Sequence, residues 1–465
     1  MKTKLTILIA LVVGFSTKVV AQLEGTMPFM QSLPQVTYYN PAFKPAYKFS
    51  IGLPGSSVFM QVSNNGFTYN DFVTEDGNII TAELPKLAST LRKKNYINLN
   101  AQADLLRFSL KPNARLYLTF NSTLKMYNRL MLPRDVVNFF VQGTEAYVNR
   151  TATLSPEIEM MNYLETGFGG SYTVDKKLTV GAKLKILKGI VNATTEKSAL
   201  NISLANNYGI TVSADLDMRS SGLHNFDSSE YEIEDNWKDY TKNNGFAIDL
   251  GATYRLTDKW TVGASIIDLG SIKWKNDTYG YSMNPETAKY TFEGVDLNKV
   301  LNDEDDYGDA LADSIEANFD FKEGRIGKYK TPLPTKVYLS GTYQIRKMLS
   351  AGGLIGIERF RGRWMPAFTA SLNKEFGRRL GASLSYTVTN NSFNNLGAGL
   401  SLNFVPVQFY IVGDNLLRMP MALAKDKNLN SYVNNLQYFN LRVGLNFVFG
   451  RDKSQEKQPE SKTAN

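Results

Sequence analysis

Two-residue alternation of apolar and polar side chains runs along most of this chain, and it narrows the possible folds more than any other feature. Leu116, Leu118, Phe120, Leu124 and Met126 alternate with Tyr117, Thr119, Asn121, Thr123 and Lys125. Leu178, Val180, Ala182, Leu184 and Ile186 alternate with Thr179, Gly181, Lys183 and Lys185. Near the end, Phe439, Leu441, Val443, Leu445, Phe447 and Phe449 share one parity, with Asn440, Arg442, Gly444 and Asn446 on the other. Such a period places one apolar and one polar face on each strand. The runs often reach ten residues or more, whereas strands of soluble sheets average about 5–6. A tilted strand crossing a bilayer needs about 9–11 residues. The second face holds Lys, Arg, Asn, Ser and Gly, which suits a wet or plugged lumen.

The connections point the same way. SYTVDKKLTVGA (171–182) recurs as TYRLTDKWTVGA (253–264) and TYQIRKMLSAGG (342–353). In each copy a Tyr (Tyr172, Tyr254, Tyr343) stands nine residues before a Gly (Gly181, Gly263, Gly352), with a basic polar turn between. This reads as a repeated tight hairpin whose Tyr belongs to an aromatic girdle. Looser versions occur at Lys111–Ala114, near Phe376–Arg378 and near Val405–Val407. Six turns give twelve strands; a first strand near Tyr47–Val62 and a last at Tyr438–Phe449 bring the count to fourteen. The long connections then share the opposite edge: Ser63–Asn95, Asn128–Met160, Asn192–Asn244, Asn276–Thr335 and Asp414–Gln437. The fold expected is an all-β transmembrane antiparallel up-and-down barrel with short turns at one end and long, extracellular loops at the other. Asn201–Met218 is read as a hairpin rising from the third long loop; sixteen strands follow if it lies in the wall. Ile79–Lys94 and Arg134–Asn149 read as short loop helices.

Residues 1–21 combine the basic Lys2 and Lys4, an apolar run from Leu5 to Phe15, and a small-residue site at Val19-Val20-Ala21. That is the design of a secretory signal peptide, expected to be cleaved before Gln22. The run is shorter than the about 20 residues of a spanning helix. No Cys follows it, so neither a lipid anchor on Cys nor a disulfide framework is available. Aromatics make up 12% of the chain, with 25 Tyr, 26 Phe and 35 Gly, as alternating membrane strands require. The expected layout is a signal peptide at 1–21, a plug at 22–46, the barrel at 47–450, and a polar, disordered periplasmic tail at 451–465.

Enzyme chemistry finds little footing. The single His, His224, lies in a polar loop, Ser220 to Asn225, and reads as solvated. One His and no Cys leave zinc short of its usual ligands, and no phosphate-binding Gly loop appears. The acidic run from Asp303 to Asp313 lacks the spacing of a calcium loop and reads as a solvated face. No catalytic residue, metal or cofactor is expected. The net charge of +8 is spread over many strands, not gathered into a stripe, so nucleic acid is not an expected partner.

The segment Gln22–Tyr47 is different. Tyr38-Tyr39-Asn40-Pro41-Ala42-Phe43-Lys44-Pro45 is too rich in proline for a wall strand and too aromatic for a disordered leader. It is expected to fold inside the barrel.

Asn40-Pro41-Ala42, placed just before the first strand, resembles the plug motif of FadL-type fatty-acid transporters and of PorV-like barrels of Bacteroidota. The hairpin unit Gly-x-x-Tyr…Lys-x-Thr-Val-Gly, Asp268-Leu269-Gly270 and Gly413-Asp414-Asn415-Leu416-Leu417 are similar to phrases of those Bacteroidota proteins. The resemblance implies a fourteen-stranded barrel with an N-terminal plug that gates passage of hydrophobic compounds through a lateral opening. One departure stands out: Gly450 to Asn465 follow the aromatic that ends many such barrels. The expected function is gated passage of small, hydrophobic molecules across the outer membrane, with Asn40, Pro41, Ala42 and Phe43 as the movable element. Two alternatives are a non-transporting subunit that binds other outer-membrane or secreted proteins, and an enzyme at the loop mouth.

Overall fold

The computed structural model describes residues 24–65, 67, 73–76, 79–143, 145–205, 209–223, 242–284, 286, 288–292, 321–360, 363–389, 392–416 and 438–451. The expected signal peptide at 1–21, His224, the acidic run from Asp303 and the tail beyond Arg451 lie outside them. None of the described helices is long and apolar enough to cross a membrane.

Fourteen antiparallel strands form the wall. They are β1 (Tyr47–Gly52 continued by Ser57–Asn64), β2 (Lys94–Leu110), β3 (Leu116–Pro133), β4 (Glu157–Thr173) and β5 (Leu178–Leu204). Next come β6 (Asn243–Arg255), β7 (Trp260–Trp274), β8 (Thr335–Arg346), β9 (Leu349–Phe360) and β10 (Arg363–Phe376). The set ends with β11 (Leu380–Thr389), β12 (Ser392–Phe404), β13 (Val407–Asp414) and β14 (Tyr438–Arg451). Each strand pairs with its neighbour in sequence. The first and last strands pair through Phe49↔Phe449 and Val58↔Val443, which closes the barrel and leaves the wall without an edge.

The alternation is realised inside out. Leu118, Phe168, Leu184, Ile186, Leu339 and Leu384 are exposed on the outer face. Asn121, Thr123, Lys125, Glu165, Lys183 and Lys185 are buried in the lumen. An apolar surface that encircles the wall far exceeds the patches tolerated in water and suits hydrocarbon.

The short turns explain the hairpin repeat. Asp175 Oδ1 accepts the backbone N–H groups of Lys177 and Leu178, at 2.6 and 2.8 Å. Thr257 Oγ1 does the same for Lys259 and Trp260, and Asn113 Oδ1 for Arg115 and Leu116. A polar side chain thus satisfies backbone donors where the ladder reverses. In the third copy Gln344 Nε2 donates to the carbonyls of Arg346 and Leu349 instead, and Met348 adopts φ +63°.

At the long-loop end β5 overshoots the wall. Its outer part pairs with Ile210–Ser221 from Asn192↔Ser221 to Leu204↔Ile210. That strand also pairs with Thr278–Met283 and Lys289–Phe292. Asn201–Leu204 and Ile210–Met218 therefore belong to a sheet standing above the barrel, and the wall count stays at fourteen. The loop helices are shorter than the sequence suggests: α1 (Leu84–Thr90) and α2 (Arg134–Gln142). Ile79–Ala82 instead pairs with Val73–Asp76, since β-branched Ile79, Ile80 and Thr81 favour extended backbone. Gly143, at φ +68°, stops α2. The first wall strand is broken at Leu53–Ser56, where Pro54 has no N–H to give a ladder and Gly55 takes φ +75°.

Candidate functional site

Residues 24–46 run through the lumen. Their backbone is built from two short 3₁₀ turns, Met27–Phe29 and Pro34–Tyr38, each with a proline in its first positions. Pro41 and Pro45 withhold the donors a strand would need. One side of the segment is apolar: Met27, Phe29, Leu33 and Tyr39 pack with Ile267 and Tyr338 of the wall.

Polar residues of the segment are matched by polar residues of the lumen. Glu24 receives a two-pronged bond from Arg442 of β14, with Nε at 3.0 Å and Nη2 at 2.7 Å. Thr26 Oγ1 donates to Asp414 of β13, which also accepts the Gly25 N–H at 3.1 Å. The Gln35 and Asn446 amides exchange bonds at 2.8 and 3.1 Å, and Asn446 also donates to Gln408. Arg107 of β2 donates to Pro34 O and Thr37 Oγ1, and its guanidinium lies 4.4 Å from the Tyr38 ring centre. The Tyr38 hydroxyl donates to Asp104 at 2.6 Å, and Lys183 approaches the same ring at 5.0 Å. A cation held over an aromatic face in a dry site gains from the ring quadrupole.

Asn40, Pro41, Ala42 and Phe43 sit together at the wall of β5–β7. The Asn40 amide donates to Ala252 O at 3.2 Å and Ala264 O at 3.3 Å, and its Oδ1 accepts the Ala42 N–H at 2.8 Å. The turn is closed by the Phe43 N–H on Asn40 O at 3.0 Å. The wall makes room with glycine. A Cβ at Gly181 would strike the Pro41 and Ala42 backbone, one at Gly251 would strike Asn40, and one at Gly352 the Phe29 ring. The Gly of each repeated hairpin thus faces the lumen where the segment passes, Gly263 beside the Asn40 amide included. The paired Tyr points the other way. Tyr172 and Tyr254 are exposed on the outer face near the short turns, and Tyr343 packs at a tilt against Trp260 with ring centres 4.8 Å apart. These three do not join the lumen site.

An ionic cluster escaped the sequence reading. Lys185 of β5 lies 2.8 Å from Asp249, 2.5 Å from Asp268 and 3.5 Å from Glu165. Lys125 of β3 lies 2.7 Å from Glu165 and 3.6 Å from Asp268. Lys336 of β8 stands 4.0 Å from Asp268. Asp268 reaches this cluster through a bulge in β7, where it takes φ +60° and its N–H donates to Asp249 Oδ1 at 2.8 Å. This is the structural content of Asp268-Leu269-Gly270, since Gly270 lets β7 close against Phe246 and Ala247. The available signal was charge at lumen parity on four neighbouring strands, β3, β4, β5 and β6; Asp268 of β7 joins them only through its bulge.

Three spaces line up along the barrel. Toward the long loops lies a cavity of about 430 Å³, bordered by Asn98, Tyr127, Met161, Asn192, Thr331 and Met365. Below it, about 60 Å³ separates Tyr38, Tyr39 and Glu24 from Lys125, Lys185 and Asp268. At the short-turn end a space of about 200 Å³ is bordered by Phe29, Met30, Thr342, Met348, Asn373 and Arg451. Residues 24–46 stand between the first and the last.

A family model described as "Family of unknown function (DUF5723)" matches residues 41–414. No curated protein matches the chain. Among solved structures, the Ralstonia pickettii toluene transporter TbuX is 10% identical with a TM-score of 0.43, over 90% of this chain and 94% of that one. A Pseudomonas aeruginosa FadL homologue is 10% identical with a TM-score of 0.42, over 90% and 95%. The Pseudomonas putida toluene transporter TodX is 10% identical with a TM-score of 0.39, over 90% and 94%. With a family match that spans β1 to β13 and the Asn40–Phe43 turn excepting only Asn40, the chain belongs to the DUF5723 family.

Proposed function

We propose that this protein is an outer-membrane barrel that passes small molecules, with residues 22–46 as a plug that must shift to open the lumen. One observation carries the reading: the segment separates an outer cavity of about 430 Å³ from an inner space of about 200 Å³. Its contacts combine an apolar face, the Glu24–Arg442 fork and many small polar bonds, and none of them is part of the ladder that holds the wall together. The apolar outer face supports insertion in a bilayer, and closure by strands in place of helices is the solution used in bacterial outer membranes. In this reading residues 1–21 direct export, Tyr172, Tyr254 and Tyr343 form part of a girdle at the inner interface, and the C-terminus with its tail is periplasmic. The same motifs that resemble FadL-type and PorV-like barrels are the ground for a Bacteroidota origin.

The test is uptake into proteoliposomes. Pro41→Gly with Phe43→Gly loosens the turn and leaves the wall untouched. The double variant is expected to admit small hydrophobic solutes faster than the wild type. Equal uptake in a barrel that still shows a heat-dependent gel shift refutes the plug role.

A second reading has one observation in its favour. The sheet of β5, Ile210–Ser221 and Thr278–Met283 projects beyond the wall and offers a platform for another protein. A non-transporting subunit of a secretion or assembly complex would use it so. Purification from the native membrane as a stable hetero-complex, without solute flux, supports that reading over passage.

A further inference from the structure

The outer face of β5, β6 and β7 changes character at the long-loop end. Up to that level it is apolar, with Ile186, Phe246 and Leu269 exposed. Lysines follow. Lys188 of β5 lies across from Asn244 of β6, Asn244 across from Lys273 of β7, and Lys273 across from Lys330 of the short strand Tyr329–Pro332. Their neighbours of opposite parity face the lumen: Leu187, Ile272 and Trp274 pack together there, and Trp274 Nε1 donates to Thr331 Oγ1 at 3.1 Å. Lys330 also borders the outer cavity, but Tyr329 and Thr331, both bonded to Asn192 Oδ1, take the lumen parity and leave it the outer one. Lys242, Lys275 and Lys328 stand two residues farther out, and all three are exposed.

The height of this tier fits a membrane boundary. On β6, Asn244 and Tyr254 stand near opposite ends of the strand. The about ten residues between them rise about 3.4 Å each, which at a tilt of about 40° gives about 26 Å, close to the about 25 Å apolar band of such barrels. Charge is of one sign here. Asp249 and Asp268 of the same strands belong to the lumen cluster, and Asp277 lies where the chain has left the wall. Among the described residues, Lys273, Lys275, Lys328 and Lys330 enter no ion pair, whereas Lys94 meets Glu157 at 3.2 Å. Like charges directly opposite in a sheet repel, and Lys273 faces Lys330 in that way. A single lysine at a boundary is explained by its long stem reaching for water. Six on four neighbouring strands, two of them opposed, call for an anion among them.

We infer that this face holds a phosphorylated glycolipid of the outer leaflet, with a phosphate between Lys273 and Lys330 and acyl chains on Ile186, Phe246 and Leu269. Phosphate accepts charge-assisted bonds from several ammonium groups at once, so it removes the repulsion that the wall leaves standing. Clusters of about 4–8 basic residues beside a membrane-spanning element are the mark of anionic-lipid recognition. The inference rests on the outer-membrane reading with the long loops outside, and it adds a lipid partner to that reading.

The experiment uses the full chain folded in detergent micelles, with bound lipid read by native mass spectrometry. The probes are diphosphoryl lipid A, the same lipid without its phosphates, phosphatidylglycerol and inorganic phosphate. The wild type is expected to bind diphosphoryl lipid A on the order of tenfold more tightly than the dephosphorylated form, the scale of a few surface lysines. Lys273→Gln with Lys330→Gln is expected to erase that preference and leave the dephosphorylated affinity unchanged. Lys273→Arg with Lys330→Arg keeps the preference, and so does the control, Lys176→Gln with Lys177→Gln at a short turn. Each variant is first checked for the heat-dependent gel shift. Equal binding of the two lipid A forms overturns the inference, as does an equal loss in the control. Phosphatidylglycerol binding as tightly as lipid A, or displacement by inorganic phosphate, reduces the face to a general anion surface and overturns it too. Labelling of intact cells tests the reading underneath. The chain has no Cys, so a membrane-impermeant maleimide reports on one introduced residue at a time. With the long loops outside, Phe140→Cys on α2 is labelled and Lys176→Cys is not. Label at Phe140→Cys without the lipid A preference refutes the site and leaves the orientation. Label at Lys176→Cys alone, or at neither, refutes the orientation and takes the inference with it.

Discussion

Arg442 closes its guanidinium on both carboxylate oxygens of Glu24, at 2.7 and 3.0 Å, and so ties the first described residue of the lumen segment to the last wall strand. Both side chains are almost wholly buried, at 2% and 10% exposure. Such a fork is strong because two parallel bonds share one orientation. Removing one partner strands the other charge away from water.

Glu24→Gln is therefore expected to weaken the seating of residues 24–46 by about 3–5 kcal/mol while the wall keeps its closure. Hydrogen exchange should rise across the segment and stay low in β13 and β14. Unchanged exchange in the segment would show that the Arg442 fork does not hold it.

Gly181→Val and Gly251→Val place a side chain where Pro41 and Asn40 now lie. Both are expected to displace the segment and raise single-channel conductance in planar bilayers. Gly341→Val is the control, because a Cβ there meets nothing within 4 Å. Equal conductance in all three variants would separate the glycines from the packing of the segment.

Lys185 is shared by Asp249, Asp268 and Glu165. Lys185→Met leaves them with less compensation and is expected to destabilise the barrel by about 3–5 kcal/mol in urea unfolding from lipid vesicles. Adding Asp249→Leu should restore part of the loss, with a coupling of about 0.5–3 kcal/mol. Additive losses would mean that the two residues do not act as a pair.

Leu184 is half exposed on the outer face, between its neighbours Lys183 and Lys185 in the lumen. Leu184→Arg is expected to cost about 2–4 kcal/mol if the residue lies near the bilayer midplane, less toward an interface. Vesicle refolding in thick and thin bilayers measures the cost. A neutral result in both would place this face out of the hydrocarbon.

The wall is largely legible in the sequence. Parity alone separates Leu184 and Ile186 from Lys183 and Lys185, and polar turn residues such as Asp175 and Thr257 mark the reversals. Parity names a face but not a partner across the lumen. Glu24 meets Arg442 over a sequence separation of 418, and nothing local to either residue marks the other. The bulge at Asp268 shifts the phase of β7, so the ionic cluster cannot be assembled by counting from Trp260. The break at Leu53–Ser56 is marked by Pro54-Gly55, inside a run whose alternation reads as one strand near Tyr47–Val62. Ile79–Ala82 fell the other way, because its local preference for extended backbone outweighed the helical reading. The cavity was beyond sequence altogether, since it is the space left over when the segment and the wall have both found their places.

The pairing of β1 with β14 sets an order of events as well as a shape. Residues 24–46 precede every wall strand in the chain, yet their anchors Asp414, Arg442 and Asn446 belong to the final two strands. The segment has no complete berth until the C-terminal end of the chain has arrived. An assembling barrel must therefore keep residues 24–46 waiting beside an open sheet, and the seam that closes the wall is the same event that traps them inside.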